Sequence, residues 1–101
     1  MDQSIRQLTR EENIRLTRTG ACTPMGETLR RYWWAIGISA DLRDRPTFIR
    51  VLGEDLVLFR DGSGRLGLVD AYCSHRRANL CVGVVEQDGL RCRYHGWKYA
   101  F

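Results

Sequence analysis

The chain's two histidines constrain it most. His75 and His95 are the only histidines among 101 residues, and each lies within three residues of a cysteine. The pattern runs Cys73-Ser74-His75, sixteen intervening residues, then Cys92-Arg93-Tyr94-His95. Each segment supplies one soft thiolate and one imidazole, donors that suit zinc and iron. Two short turns, each following a predicted strand, would meet around a common centre.

The spacing discriminates among metals. A Cys2His2 zinc finger groups its cysteines on one arm and its histidines on a helix, which is a different arrangement. An all-cysteine iron–sulfur site needs four thiolates, and Cys22 and Cys81 are badly placed to complete one. Those two read as free thiols. One cysteine and one histidine per loop match the Rieske [2Fe–2S] centre, in which two histidines replace two cysteines on one iron. On that reading Cys73 and Cys92 hold the inner iron, while His75 and His95 hold the outer one. A zinc ion in the same four ligands, or four side chains that merely pack in a core, remain as alternatives.

The ligand substitution has electrical consequences. The oxidised core carries two positive charges, which two thiolates cancel and four would overcompensate. A less negative cluster accepts an electron more readily, so its potential lies roughly a few hundred millivolts above that of an all-cysteine plant-type ferredoxin. Imidazole also keeps a second ring nitrogen, which can exchange a proton with solvent as the iron changes state.

Around these segments the chain reads as mainly β. Thr9-Arg10-Glu11-Glu12 fits a capping box, predicting a short helix to about Leu16. Thr23-Pro24 restates the start signal, with a hydroxyl cap and proline at the first helical position, for a helix reaching about Trp33. Trp33 and Trp34 are expected in the core. Ala35 to Ile38 looks like a strand. Phe48 to Leu52 and Leu56 to Phe59, separated by Gly53-Glu54-Asp55, form a hairpin signal. Asp61-Gly62-Ser63-Gly64 turns the chain into a further strand, Leu66 to Val69. Trp97 to Phe101 opens a strand with no partner after it, an exposed apolar edge. The expectation is an N-terminal helical segment, 1–33, and a small antiparallel β domain, 34–101, incomplete at its C-terminal end.

Fifteen of the sixteen basic residues are arginine and the net charge is +4, which raises nucleic-acid binding. The arginines are scattered, alternate with acids, and reach only pairs (Arg30-Arg31, Arg76-Arg77), so no nucleic-acid partner is expected. A weakly basic face for an acidic partner explains them as well. No apolar run approaches the ~20 residues that span a bilayer, and no apolar stretch follows the basic residues near Met1. A cytoplasmic location with reduced thiols is expected, without membrane contact.

With those residues in place, the chain resembles the Rieske non-haem iron aromatic-ring-hydroxylating oxygenases over nearly its whole length. Cys73-Ser74-His75-Arg76 and Cys92-Arg93-Tyr94-His95-Gly96-Trp97-Lys98-Tyr99 look like their two cluster-binding segments. Leu16 to Gly20, Thr23 to Glu27, Arg31-Tyr32-Trp33 and Leu52 to Asp61 are similar to the phthalate dioxygenase-like oxygenase subunits. Respiratory-chain Rieske proteins carry an extra, disulfide-bonded cysteine in each loop, where this chain has Ala78 and Tyr94. Their serine donor to a bridging sulfide would fall at Trp97, which has no hydroxyl. Fewer donors to sulfur imply a potential toward the low end of the Rieske range.

The resemblance implies a Rieske [2Fe–2S] cofactor held by Cys73, His75, Cys92 and His95, and an oxidoreductase that takes electrons from a flavin or ferredoxin-type reductase. A mononuclear Fe(II), in a two-His, one-carboxylate triad, would activate dioxygen on an aromatic substrate. No further histidine exists for it, so that iron belongs to a catalytic domain absent from this chain, which alone would only transfer electrons. Family trimers pass electrons between neighbouring subunits, implying a homo-oligomer with His75 or His95 near an interface. A stand-alone Rieske ferredoxin is the other reading. The family usually has proline at the position of Ser74 and glycine at that of Arg77. A positive φ at Arg77 would cost about 1 kcal/mol relative to glycine.

Overall fold

The computed structural model describes residues 6–100. The readings of the first residues from Met1 and of an apolar edge at Phe101 lie outside the described residues. The chain divides into two compact units, one up to Trp34 and one from Ala35 onward.

The first unit holds two helices, α1 (Arg10–Thr17) and α2 (Pro24–Leu29). The capping box forms as the sequence predicts. Glu12 N–H donates to Thr9 Oγ1 at 3.1 Å, and Thr9 N–H donates to Glu12 Oε2 at 2.8 Å. Arg6 adds an ion pair to Glu12 at 3.0 Å. Helix α2 starts at the Thr23 cap, whose hydroxyl accepts from Gly26 N–H at 3.1 Å. It stops at Leu29, a turn short of the expected end near Trp33. The expected burial of the tryptophans is also wrong. Trp33 is wholly exposed and Trp34 is exposed, its indole N–H donating to Leu29 O at 2.8 Å. Neither helix offers a buried apolar stripe: α1 buries no residue and α2 only Gly26. Two helices this short lack the surface to close over an indole.

The second unit is antiparallel β. A first sheet orders β1 (Thr47–Val51), β2 (Glu54–Arg60) and β3 (Leu66–Asp70) side by side; a second orders β4 (Val84–Glu86), β5 (Gly89–Arg91) and β6 (Lys98–Ala100). The β1–β2 turn is tighter than expected. Val51 pairs with Glu54, leaving Leu52 and Gly53 as the two turn residues with φ of +51° and +77°, the signature of a two-residue hairpin loop that matches strand twist. The strand expected over Ala35 to Ile38 does not form. That stretch is irregular and leads into a 3-10 turn, Ser39–Asp41. The Arg60 guanidinium draws the carbonyls of Ser39 and Leu42 to it, each at 3.0 Å, and so diverts the chain from a sheet edge.

Alternation along β2 sends Val57 and Phe59 inward. They join Ala71, Cys73, Leu80, Leu90 and Cys92 in one buried cluster. The turn after β2 is tied to the second sheet, Gly62 N–H donating to Glu86 O at 2.8 Å. Asp61, the one buried acid among the described residues, accepts from the N–H groups of Ser63 and Arg65 at 3.0 and 2.8 Å. Both cysteines of the histidine-bearing segments therefore lie in the hydrophobic core.

Candidate metal centre

The two segments fold into loops with one hydrogen-bond plan. The first follows β3; the second joins β5 to β6. Cys73 N–H donates to Ala78 O at 2.8 Å, and Arg77 N–H returns to Cys73 O at 2.7 Å. Cys92 N–H donates to Trp97 O at 2.6 Å, and Gly96 N–H returns to Cys92 O at 3.0 Å. Each loop thus closes on its cysteine across the same number of residues, and its fifth residue takes a left-handed φ, +63° at Arg77 and +80° at Gly96. The positive φ anticipated at Arg77 is there. Its guanidinium lies over the Tyr72 ring, 4.9 Å from the centroid, a contact that offsets part of the strain.

The loops bring the four sequence-predicted residues together as two pairs. Cys73 and Cys92 are buried, at 1% and 2% exposure, in one hydrophobic cluster. His75 and His95 are exposed, with ring centroids 4.7 Å apart and planes at 72°. Histidine stands two residues after cysteine in one loop and three after it in the other, yet both rings reach the same tip. Among the described residues no three His, Cys, Asp or Glu side chains converge as ligands of one ion. A sulfur pair inside and a nitrogen pair outside suit a two-iron cluster with chemically different ends better than a single tetrahedral zinc.

The surroundings of Cys73 favour its thiolate. Burial pushes its pKa up, but the Tyr99 hydroxyl, the backbone N–H of His75, the Cys92 thiol and the backbone N–H of Arg76 outweigh burial and hold it below the ordinary thiol value. A thiolate is the form that ligates metal.

Tyr99 was read in the sequence only as the last residue of the second cluster-binding segment, with no role of its own. It is the half-buried residue of β6, flanked by exposed Lys98 and Ala100. Its hydroxyl donates to Cys73 Sγ at 3.4 Å and accepts from Ser74 N–H at 2.8 Å. The alternation of β6 was the local signal that it points inward. Trp97 was read for the hydroxyl it lacks; it stacks on His75, centroids 4.8 Å apart and planes 9° from parallel. Cys22 and Cys81 are free thiols, as expected, outside both loops.

Comparison with known proteins bears on the same residues. The family model described as "Rieske [2Fe-2S] domain" matches residues 32–100. The chain is 53% identical, over 93 residues, to the 5,5'-dehydrodivanillate O-demethylase oxygenase subunit of Sphingobium sp., covering 91% of this chain and 22% of that protein. It is 47% identical, over 94 residues, to the phthalate 4,5-dioxygenase oxygenase subunit of Pseudomonas putida, covering 90% and 21%. Among solved structures, dicamba monooxygenase bound to dicamba matches with a TM-score of 0.66 at 28% identity, over 71% of this chain and 23% of that one. The chain spans about a fifth of the length of the curated relatives it matches.

Proposed function

The chain belongs to the Rieske [2Fe–2S] domain family, and from that premise we propose that Cys73 and Cys92 ligate one iron of the cluster while His75 and His95 ligate the other. Residues 34–101 would form the cluster domain, with 1–33 as a separate helical segment. The observation that carries this reading is the paired geometry: two thiols in the core and two imidazoles meeting at 4.7 Å on the exposed tip. When bound, such a cluster stores and releases one electron at a time.

This chain's residues set the terms of that exchange. The buried cysteines keep water from the sulfur end, and the exposed histidines can trade ring protons with solvent at the other. Arg76, Arg77 and Arg93 lie in the same two loops as the histidines. No acid occurs from Ala71 to Val85 or from Cys92 to Ala100. A tip of one sign attracts a donor of the other, which supports an acidic flavin or ferredoxin-type reductase as partner. We assign the chain to the electron-accepting part of an aromatic-ring-hydroxylating oxygenase. The mononuclear iron, dioxygen and the aromatic substrate would be handled by a further domain, because both histidines here are committed. In a trimeric assembly the imidazole tip would face a neighbouring subunit. All four cysteines are free, which suits the cytoplasm; among the described residues no helix is long and apolar enough to cross a membrane.

Anaerobic reconstitution with iron and sulfide tests the assignment. The expected product is reddish and, once reduced, gives the low-average-g EPR signal of a mixed Cys/His cluster. His75→Cys should retain iron, lower the potential and weaken its pH dependence. Stoichiometric zinc without acid-labile sulfide would remove the assignment.

A further inference from the structure

We propose that the cleft between the bend before β1 and the start of β4 is a binding site for a small organic monocarboxylate with an apolar body, gripped by Arg45 and Arg93. None of the four candidate ligands lines it, and the proposal does not depend on what they hold.

Three separate stretches of the second unit meet at this cleft. The bend supplies Asp44, Arg45 and Pro46; the end of a 3-10 turn, Leu80–Val82, and the start of β4 supply Cys81 to Val85; the second loop supplies Arg93. The enclosed volume is about 680 Å³, within the range of small-molecule sites. Arg93 is anchored at the wall, its Nε donating to Val82 O at 2.9 Å. A guanidinium is a fork of several N–H donors, so most of this one stays available to a guest. Among the described residues Arg45 enters no hydrogen bond or ion pair. Its charge is unanswered from within the fold.

The lining selects the class of guest. Guanidinium forks match the two oxygens of a carboxylate and hold them with charge-assisted hydrogen bonds. Pro46, Val84 and Val85 also face the cleft, and burying them is favourable only against an apolar body. Asp44 is the one acid among the described residues that line it. A second negative charge on the guest would meet that carboxylate at short range and be repelled. Phosphate dianions and dicarboxylates are therefore disfavoured. Two guanidiniums against one carboxylate still leave the cleft net positive, so a neutral guest forfeits the main attraction.

Isothermal titration of the metal-loaded chain with benzoate tests the site. Benzoate should bind saturably at one site. Benzamide lacks its charge, acetate its apolar body, and inorganic phosphate brings a second charge; each should bind about tenfold more weakly or worse. Arg45→Gln and Arg93→Gln should each weaken benzoate about tenfold with far-UV circular dichroism unchanged. Arg43→Gln, which alters an arginine outside the lining, should bind close to wild type. Should Arg93→Gln not fold, Arg45→Gln decides alone, since Arg45 is exposed and lies outside both histidine-bearing loops. The proposal is overturned by no benzoate binding to wild type, by benzamide, acetate or phosphate binding as tightly, by benzoate binding that survives Arg45→Gln, or by an equal loss in Arg43→Gln.

Discussion

Arg77 and Gly96 occupy the same position in two matching loops, each donating its N–H to the carbonyl of its loop's cysteine, at 2.7 and 3.0 Å, from a left-handed backbone. Only one of them is the residue such a backbone prefers. At Arg77 the strain of about 1 kcal/mol is opposed by the guanidinium–Tyr72 contact, worth about 0.5–1 kcal/mol at an exposed site. Arg77→Gly should therefore be nearly neutral, and Arg77→Ala, which keeps the strain and loses the contact, should destabilise by about 0.5–1 kcal/mol. Urea unfolding of the two variants checks the order; alanine proving as stable as glycine would contradict it.

The glycines of the second loop's hairpin should separate strain from collision. A Cβ at Gly96 would meet nothing within 4 Å, whereas one at Gly89 would lie 2.2 Å from the Tyr99 carbonyl oxygen. Gly96→Ala should then cost about 1 kcal/mol, from φ alone. Gly89→Ala forces β5 from β6 and should cost about 1–3 kcal/mol. Because β6 carries Tyr99, that variant should also bind iron less firmly, which sulfide and iron content after gel filtration would report.

Acid and alkali should loosen the first loop by different routes. Arg50 holds the Asp55 carboxyl below its usual range, with burial opposing and the Tyr72 hydroxyl assisting. The hydrogen bond to Asp55, then its charge and burial, raise the Tyr72 phenol above its ordinary value. A lowered carboxyl contributes stability above its unfolded pKa and loses it as pH falls below about 4. A raised phenol contributes below its unfolded pKa and loses it as pH climbs past about 10. Melting temperatures across pH should fall at both ends. Tyr72→Phe should flatten the alkaline limb and soften the acid one; an unchanged alkaline limb would show that Tyr72 is not its source.

The basic tip should govern encounter with an electron donor. Arg76→Glu places an acid where none now lies nearby in sequence, and should slow reduction by an acidic ferredoxin while leaving the EPR signal intact. The wild-type rate should fall as salt rises and that of the variant should fall less. Stopped-flow reduction at several ionic strengths measures both.

What sequence made legible was local or chemical. Thr9 and Glu12 cap α1 because both partners lie within one turn, and the alternation around Val57 and Phe59 marks the inward face of β2. The four candidate ligands stood out by residue type and spacing alone. Contacts between distant segments decided the remainder. Ala35 to Ile38 has a strand's composition, but the Arg60 guanidinium, some twenty residues on, bends the following chain away. The β1–β2 turn slipped to Leu52-Gly53 because pairing of Val51 with Glu54 set the register, and a leucine at positive φ advertises nothing. Trp33 failed because apolar character says what a residue would gain by burial, not whether its own small unit can cover it. The contact of Tyr99 escaped because its partner is 26 residues distant.

The split between a hidden sulfur end and an accessible nitrogen end also bears on chemical wear. Peroxide and other small oxidants attack sulfur in proportion to how much of it they can touch. At this tip they encounter imidazole and indole, and the exposed cysteine they would find is Cys22, in the helical segment. Oxidative damage should thus accumulate on a thiol with no partner in the loops while Cys73 and Cys92 stay intact.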